Sequence, residues 1–163
     1  MGRAGTLGSS ARRGLPVLLV AGAVVALDQL TKYLVRANME LGESIPSGWP
    51  VGLTYTTNTG GAFGLFSNQT FLLAAAALLA VAVVVLSLRY LPPGSTLLKV
   101  GLGLDLGGAV GNLIDRLVFG KVTDFIDVRV WPIFNVADAS IVIGTFLIVV
   151  YLLFATGKKQ RAG

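Results

Sequence analysis

The sequence predicts an all-α membrane protein of four transmembrane helices with a small extracytoplasmic β element. Of its 163 residues, 54% are hydrophobic and 13% are charged, whereas soluble domains carry about 25% charged residues. Four apolar segments approach the ~20 residues that a helix needs to cross a ~30 Å hydrocarbon core: residues 15–35, 71–88, 97–119 and 137–155. We therefore expect one integral membrane domain covering residues 1–163.

The distribution of basic residues predicts the topology of these segments. Lysines and arginines precede the first segment, flank the turn after the second and follow the fourth, at Arg3, Arg12, Arg13, Arg89, Lys99, Lys158, Lys159 and Arg161. Because basic residues are enriched in cytoplasmic loops, both termini and this turn are predicted to be cytoplasmic. The net charge of +5 is accounted for by this topology, and we expect no nucleic-acid partner.

The N-terminal region has an alternative interpretation. Arg12 and Arg13 before a short apolar run resemble a secretory signal with a twin-arginine region. The apolar run continues beyond Asp28 to Val35, and Asp28 and Lys32 are one helical turn apart and can pair. These features favour a spanning helix.

The chain contains no cysteine and no histidine. Their absence excludes disulfides, thiol nucleophiles, the Ser-His-Asp triad and zinc sites built on these residues. Hydrolytic chemistry would therefore depend on Asp, Glu, Lys or Ser, and we expect no metal and no cofactor.

The two outward loops carry signs of β structure. Residues 51–57 alternate between larger apolar and small or polar side chains and lead to Asn58 and the Gly60–Gly61 pair, which predicts a short strand and a tight turn. Trp49 would lie at the headgroup level. Residues 126–130 also alternate, and the two strands are predicted to pair.

The third apolar segment combines packing and polar residues. Three glycines recur at a four-residue spacing that lets another helix approach closely: Gly103, Gly107 and Gly111. The outer end of the same segment carries Asn112, Asp115 and Arg116. Because the glycines let other helices pack closely on this segment, we expect those helices to lie near its polar side chains.

Asp124 and Asp138 are the candidate catalytic residues, since both can reach the outer boundary of the membrane. Two adjacent carboxylates share a proton, so that one serves as a base toward water and the other as an acid. Spacing leaves two alternatives open, because Asp115 and Asp127 also lie near this boundary. An extended loop would point Asp127 away from Asp124, and Asp115, which precedes Arg116, could belong to an ion-paired scaffold.

The sequence resembles the lipoprotein signal peptidase family, also called signal peptidase II, in five stretches that occur in the expected order. They are Asp28-Gln29-Leu30-Thr31-Lys32, Asn58-Thr59-Gly60-Gly61-Ala62-Phe63, Gly107-Gly108-Ala109-Val110-Gly111-Asn112-Leu113-Ile114-Asp115-Arg116, Val122-Thr123-Asp124-Phe125 and Phe134-Asn135-Val136-Ala137-Asp138. The resemblance implies that Asp124 and Asp138 are catalytic. It also implies a surrounding group that orders the pair or holds substrate: Asp28, Lys32, Asn58, Gly60, Asn112, Asp115, Arg116 and Asn135.

The resemblance further implies an intramembrane aspartic endopeptidase that removes signal peptides from bacterial prolipoproteins. Cleavage would occur before the diacylglyceryl-cysteine, by two-aspartate activation of water. The implied location is the inner membrane, with the active site at the extracytoplasmic face. The expected partners are lipid-modified prolipoprotein signal peptides and membrane lipids, and we expect the enzyme to be a monomer.

Asp105 falls outside this pattern, and two other functions are alternatives. Asp105 lies deep in the third segment, and we expect it to face the bundle, protonated or hydrogen-bonded. Lys32 and Ser140 raise the alternative of a Ser/Lys peptidase. A small proton-coupled transporter is a non-enzymatic alternative, although the sequence shows no internal repeat of the kind found in many transporters.

Overall fold

The computed structural model describes residues 4–46, 50–59 and 70–160. These residues form four long helices, α1 (Ala4–Asn38), α2 (Thr70–Ser87), α3 (Thr96–Phe119) and α4 (Val136–Gln160). They also form a three-stranded antiparallel sheet of β1 (Ser44–Ile45), β2 (Gly52–Asn58) and β3 (Val122–Asp127), in the order β1-β2-β3. The predicted fold class is confirmed.

All four helices are long and apolar enough to cross a membrane. The candidate spans are Arg13–Asn38, Phe71–Tyr90, Thr96–Phe119 and Val136–Ala155, which differ from the predicted bounds by at most three residues. Large apolar side chains on their outer surfaces are exposed, including Phe71 and Phe154. Such surfaces suit a lipid environment and not water.

Helix α3 occupies the centre of the bundle and packs closely on α1 and α4. A Cβ atom built on Gly103 would lie 2.7 Å from Cβ of Val20, and one built on Gly107 would lie 2.6 Å from Cβ of Val24. Both contacts are too close for any residue but glycine. The predicted role of these glycines in helix packing is confirmed.

The sheet confirms the predicted pairing but changes the bounds of its second strand. Leu53 of β2 pairs with Ile126 of β3. The prediction placed the strand at residues 126–130, whereas β3 ends at Asp127. Arg129 adopts a left-handed backbone with φ of 63°, which is incompatible with a continuing strand. The predicted Gly60–Gly61 turn and Trp49 lie outside the described residues.

The sheet covers the end of the bundle where α1 and α3 finish and α4 starts, which we call the polar end. The segment that leads into α4 is attached to β3 by backbone hydrogen bonds between Ile126 and Phe134, of 2.7 and 3.1 Å. This attachment brings the start of α4 next to β3. Side chains from a strand and from a helix thereby reach the same place.

Candidate active site

Asp124 and Asp138 open onto one cavity at the polar end. Asp124 lies in the middle of β3 and is buried, whereas Asp138 lies in the first turn of α4 and is half-buried. The cavity has a volume of about 280 Å³. Its walls also include polar, aromatic and apolar side chains, among them Asn58, Asn112, Arg116, Trp131, Phe134, Ile141 and Val142.

The two carboxylates are connected by a chain of two asparagines. Nδ2 of Asn135 donates to Oδ1 of Asp124 at 2.7 Å and also to Oδ1 of Asn112 at 3.1 Å. Nδ2 of Asn112 donates to Oδ1 of Asp138 at 2.8 Å. Because each asparagine contacts both its neighbours in this chain, the orientations of the two carboxylates are coupled.

The start of α4 fixes the position of Asp138. The backbone N–H of Asp138 donates to Oδ1 of Asn135 at 2.9 Å, and the backbone N–H of Asn135 donates to Oδ2 of Asp138 at 3.2 Å. This reciprocal pair is a capping box, with Asn135 as the N-cap residue. Ala137 N–H donates to Oδ1 of Asp28 at 2.9 Å. Helix α1 therefore holds the first turn of α4 in place through Asp28.

A buried ion cluster lies beneath the asparagines. Lys32 and its two acidic partners are 0% exposed. Nζ of Lys32 lies 2.9 Å from Oδ2 of Asp28, 3.4 Å from Oδ2 of Asp115 and 3.0 Å from Oδ1 of Asn112. The predicted pairing of Asp28 with Lys32 is confirmed. Through Asn112, the cluster also reaches the chain of asparagines that holds the two aspartates.

Asp115 belongs to an ion-paired scaffold, but its partners are not the adjacent Arg116. In addition to Lys32, it lies 3.7 Å from Nη1 of Arg36 and accepts a 2.9 Å bond from the backbone N–H of Thr123. That bond anchors β3 one residue before Asp124. The Arg116 guanidinium instead donates to the carbonyl of Asn112 at 3.4 Å and lines the cavity.

The surroundings of Asp124 and Asp127 give these two carboxyls opposite acidities. Burial, together with the negative charge of Asp138, raises the pKa of Asp124 from 3.8 to about 7. The pKa of Asp127 is lowered, chiefly because Thr54 donates a 2.7 Å hydrogen bond to its Oδ2. Asp127 lies outside the cavity walls. The geometry therefore favours the pair of Asp124 and Asp138 over the alternatives that spacing left open.

Sequence reasoning missed two members of this network. Gln29 donates to Asp28, to the carbonyl of Gly111 and to Asp115, at 3.1, 3.1 and 3.2 Å. Arg36 joins the cluster through Asp115 and also donates to Thr123 Oγ1 at 3.0 Å. The four-residue spacing of Asp28, Lys32 and Arg36, which places them on one helical face, was a signal for Arg36.

The Ser/Lys alternative has no support in the geometry. The Ser140 hydroxyl donates to the carbonyl of Val136 at 2.8 Å. Lys32, its proposed base, is held by two carboxylates and Asn112. Of the other predicted site residues, Asn58 lines the cavity, and Gly60 lies outside the described residues.

Comparison with known proteins places the chain in a family. The family described as Signal peptidase (SPase) II matches residues 20–154. The chain is 47% identical to the lipoprotein signal peptidase of Moorella thermoacetica over 148 residues, covering 90% of this chain and 99% of that protein. It is 41% identical to the lipoprotein signal peptidase of Bacillus subtilis over 148 residues, covering 88% and 96% of the two chains.

A solved structure agrees with these relatives. A bacterial membrane enzyme determined at 2.3 Å by the in meso method superposes with a TM-score of 0.80 and 34% identity, covering 88% of this chain and 90% of that one. The chain belongs to the signal peptidase II family, the aspartic peptidases of bacterial membranes that cleave the signal peptides of prolipoproteins.

Proposed function

We propose that Asp124 and Asp138 are the catalytic pair of this peptidase and that they activate a water molecule to cleave the bond before the lipid-modified cysteine. The observation that carries this proposal is that both carboxylates line one cavity and are joined through Asn135 and Asn112. A pair held in this way can share one proton. Neither carboxylate needs a metal for this chemistry.

The contacts of the two carboxyls support different roles for them in the proposed reaction. Asp138 accepts N–H groups on both oxygens and lies at the N-terminus of α4, where a negative charge is stabilised. It is the ionised base. Burial and the charge of Asp138 raise the pKa of Asp124 to about 7, so this carboxyl is largely protonated below neutral pH. Asp124 is the acid.

The reaction then follows with balanced proton transfers. Asp138 removes a proton from water as the water oxygen forms a bond to the peptide carbonyl carbon. Asp124 gives its proton to the carbonyl oxygen, so the tetrahedral intermediate carries no net charge. Asp138 next delivers its proton to the leaving nitrogen, the C–N bond breaks, and Asp124 recovers a proton as the new carboxylic acid forms.

The remaining site residues divide into two groups. Arg116, Asn58 and Asn112 line the cavity and can bind the substrate backbone. The others hold the pair in place from behind: Asp28, Lys32, Asp115 and Asn135. Gly60 stays a prediction based on the family resemblance.

We further propose that the active site faces the outside of the inner membrane and that one chain forms it. The positive-inside pattern supports this orientation, since basic residues cluster at the ends of the spans opposite the polar end, including Arg89 and Lys99. That one chain forms the site stays a prediction. A scissile bond near the outer surface suits a substrate whose lipid anchors it in the same leaflet.

The test is cleavage of a lipidated prolipoprotein peptide by purified wild type, Asp124→Asn and Asp138→Asn. Each substitution keeps the shape of the side chain but removes its acid–base function, and we expect each to lower the rate by about 10²–10⁴-fold. Asp127→Asn in the same strand is the matched control and should stay within a few-fold of wild type. Substantial turnover by either of the first two folded variants would contradict the assignment.

A further inference from the structure

A second cavity extends from the catalytic pair into the membrane-spanning part of the bundle. It has a volume of about 360 Å³ and lies between α2, α3 and α4. It shares Asn112, Arg116, Asp138 and Ile141 with the first cavity and reaches Asp105. The α2 wall consists of small or branched apolar side chains, Ala77, Ala80, Val81 and Val84. An apolar peptide segment that enters at Asp138 would therefore run along Asp105.

The structure provides a specific place for the Asp105 carboxyl. A Cβ atom on Gly144 of α4 would overlap Oδ1 of Asp105, so the absence of a side chain at Gly144 makes room for it. The hydroxyl of Thr145 lies 3.5 and 3.4 Å from the two carboxyl oxygens. These contacts are longer than the ~2.5–2.7 Å of a strong hydroxyl–carboxylate bond. The carboxyl is half-buried and lines the cavity, so it can accept a further hydrogen bond.

The depth of Asp105 defines which part of a substrate can reach it. Asp105 precedes Asn112 by seven residues on the same helix, which corresponds to about 10 Å along the helix axis. An extended peptide covers this distance in about three residues, and a helical one covers it in about seven. The contact would therefore fall within the apolar part of the signal segment, several residues before the cleaved bond.

We propose that Asp105 is a specificity-determining residue that forms a subsite for a hydrogen-bond-donating side chain, such as a serine hydroxyl, in the signal segment. The inference rests on the proposed function, because the cavity is a substrate groove only if catalysis occurs at Asp138. A site built to accept a hydrogen bond discriminates against a side chain that lacks the donor, since the carboxyl then meets apolar surface instead. A serine at the matching position should therefore be preferred over leucine.

A purely structural role for Asp105 makes a different prediction. If its only function were to join α3 to α4 through Thr145, replacing it would lower the melting temperature without changing substrate preference. The two roles are therefore separated by a ratio of rates on two substrates, which is insensitive to the amount of folded enzyme.

The experiment uses a series of lipidated peptides with an all-leucine signal segment, into which one serine is placed at each position from the third to the eighth before the cleaved bond. The kcat/KM ratio of each serine peptide to the all-leucine peptide is measured for wild type, Asp105→Asn and Asp105→Leu. We expect wild type to favour serine about tenfold at one position. Asp105→Asn should keep that preference because an amide still accepts a hydrogen bond.

Asp105→Leu should lose the preference and cleave the all-leucine peptide faster than wild type does. Equal ratios for wild type and Asp105→Leu at every position would overturn the proposal, whatever the effect on melting temperature.

Failure of this proposal can be distinguished from failure of the proposed catalytic pair. If Asp124→Asn cleaved the all-leucine peptide as fast as wild type, the proposed function would fail. A flat serine profile in an enzyme that requires Asp124 would overturn only the Asp105 subsite.

Discussion

One face of α1 makes two kinds of contact with α3. In the deeper part of the bundle, Val20 and Val24 pack against the bare backbones of Gly103 and Gly107. Farther along, at the polar end, α1 contributes Lys32 and Arg36, which both pair with Asp115 of α3. Lys32 also donates to Asn112 and pairs with Asp28 of its own helix. At the boundary between the regions, a Cβ on Gly111 would lie 2.6 Å from Oδ2 of Asp28.

This difference teaches which region stabilises the bundle and which one orients the proposed catalytic groups, Asp124 and Asp138. Within lipid, close backbone packing at small residues is a main source of helix association. Buried ion pairs often add little net stability, because desolvation offsets their attraction, but they are costly to break. We therefore expect changes in the glycine region to affect mainly stability. Changes at the polar end should affect the chemistry as well.

The largest expected effect is that of Lys32→Met. The substitution leaves Asp28 and Asp115 buried without their cation, and breaking a buried pair in this way costs about 3–5 kcal/mol. We expect a large loss of thermal stability in detergent and loss of cleavage. Lys99→Met on α3, outside the cluster, is the control. Wild-type stability and turnover in Lys32→Met would show that the cluster does not hold the site.

The next effect is that of Gly107→Val, which places a branched side chain against Val24 of α1. Overpacking of this kind costs about 1–3 kcal/mol. Gly22→Val is the matched control, because a Cβ at Gly22 has nothing within 4 Å. Thermal unfolding should separate the two variants, while active-site titration should give Gly107→Val a near-normal rate per folded molecule. A normal melting temperature for Gly107→Val would contradict the role assigned to glycine packing.

The pH dependence of cleavage tests the acidity of the pair. Because the pKa of Asp124 is raised to about 7, the acid loses its proton as the pH rises through this value. The kcat/KM should therefore fall above pH 7, and its decline should approach tenfold for each pH unit, as expected when a single proton is lost. Asp127→Asn should show the same profile as wild type. A rate that stays constant between pH 6 and 9 would exclude Asp124 as the acid.

The last effect concerns the dependence of stability on pH. The folded protein holds the proton of Asp124 more tightly than an unfolded chain does, since its pKa rises from 3.8 to about 7. Its contribution is thus most favourable below about pH 4 and is lost as the pH rises to 7. Asp124→Asn lacks this dependence. Its melting temperature relative to wild type should increase from pH 5 to pH 8, and an unchanged difference would contradict the burial of an ionisable Asp124.

Local patterns predicted much of this structure. The lengths of the apolar segments predicted the four candidate spans, and the four-residue spacing of Asp28 and Lys32 predicted their ion pair. The glycine spacing predicted the close packing of α3 on α1. Alternation indicated the pairing of β2 with β3. Each of these features depends on residues that are close in the chain or on the composition of one segment.

The choice between carboxylates depended on contacts that no local pattern contains. Asp124 and Asp138 line the same cavity because Phe134 is hydrogen-bonded to β3 and because Asn135 caps α4 while binding Asp124. Spacing alone left Asp115 and Asp127 as alternatives. The predicted end of β3 was wrong for a similar reason. The alternation of apolar and charged residues continues to Val130 in the sequence, but the left-handed backbone of Arg129 interrupts the extended conformation, and β3 ends at Asp127.

Joint action of the two aspartates is tested most directly by a double-mutant cycle of Asp124→Asn, Asp138→Asn and the combined variant, measured by single-turnover cleavage with enzyme in excess. Residues that act as one unit show strongly non-additive losses. We predict that the combined variant is about as slow as the slower single variant. Losses that multiply, so that the combined variant is slower by the product of the two single effects, would show that the residues act independently and contradict a shared proton.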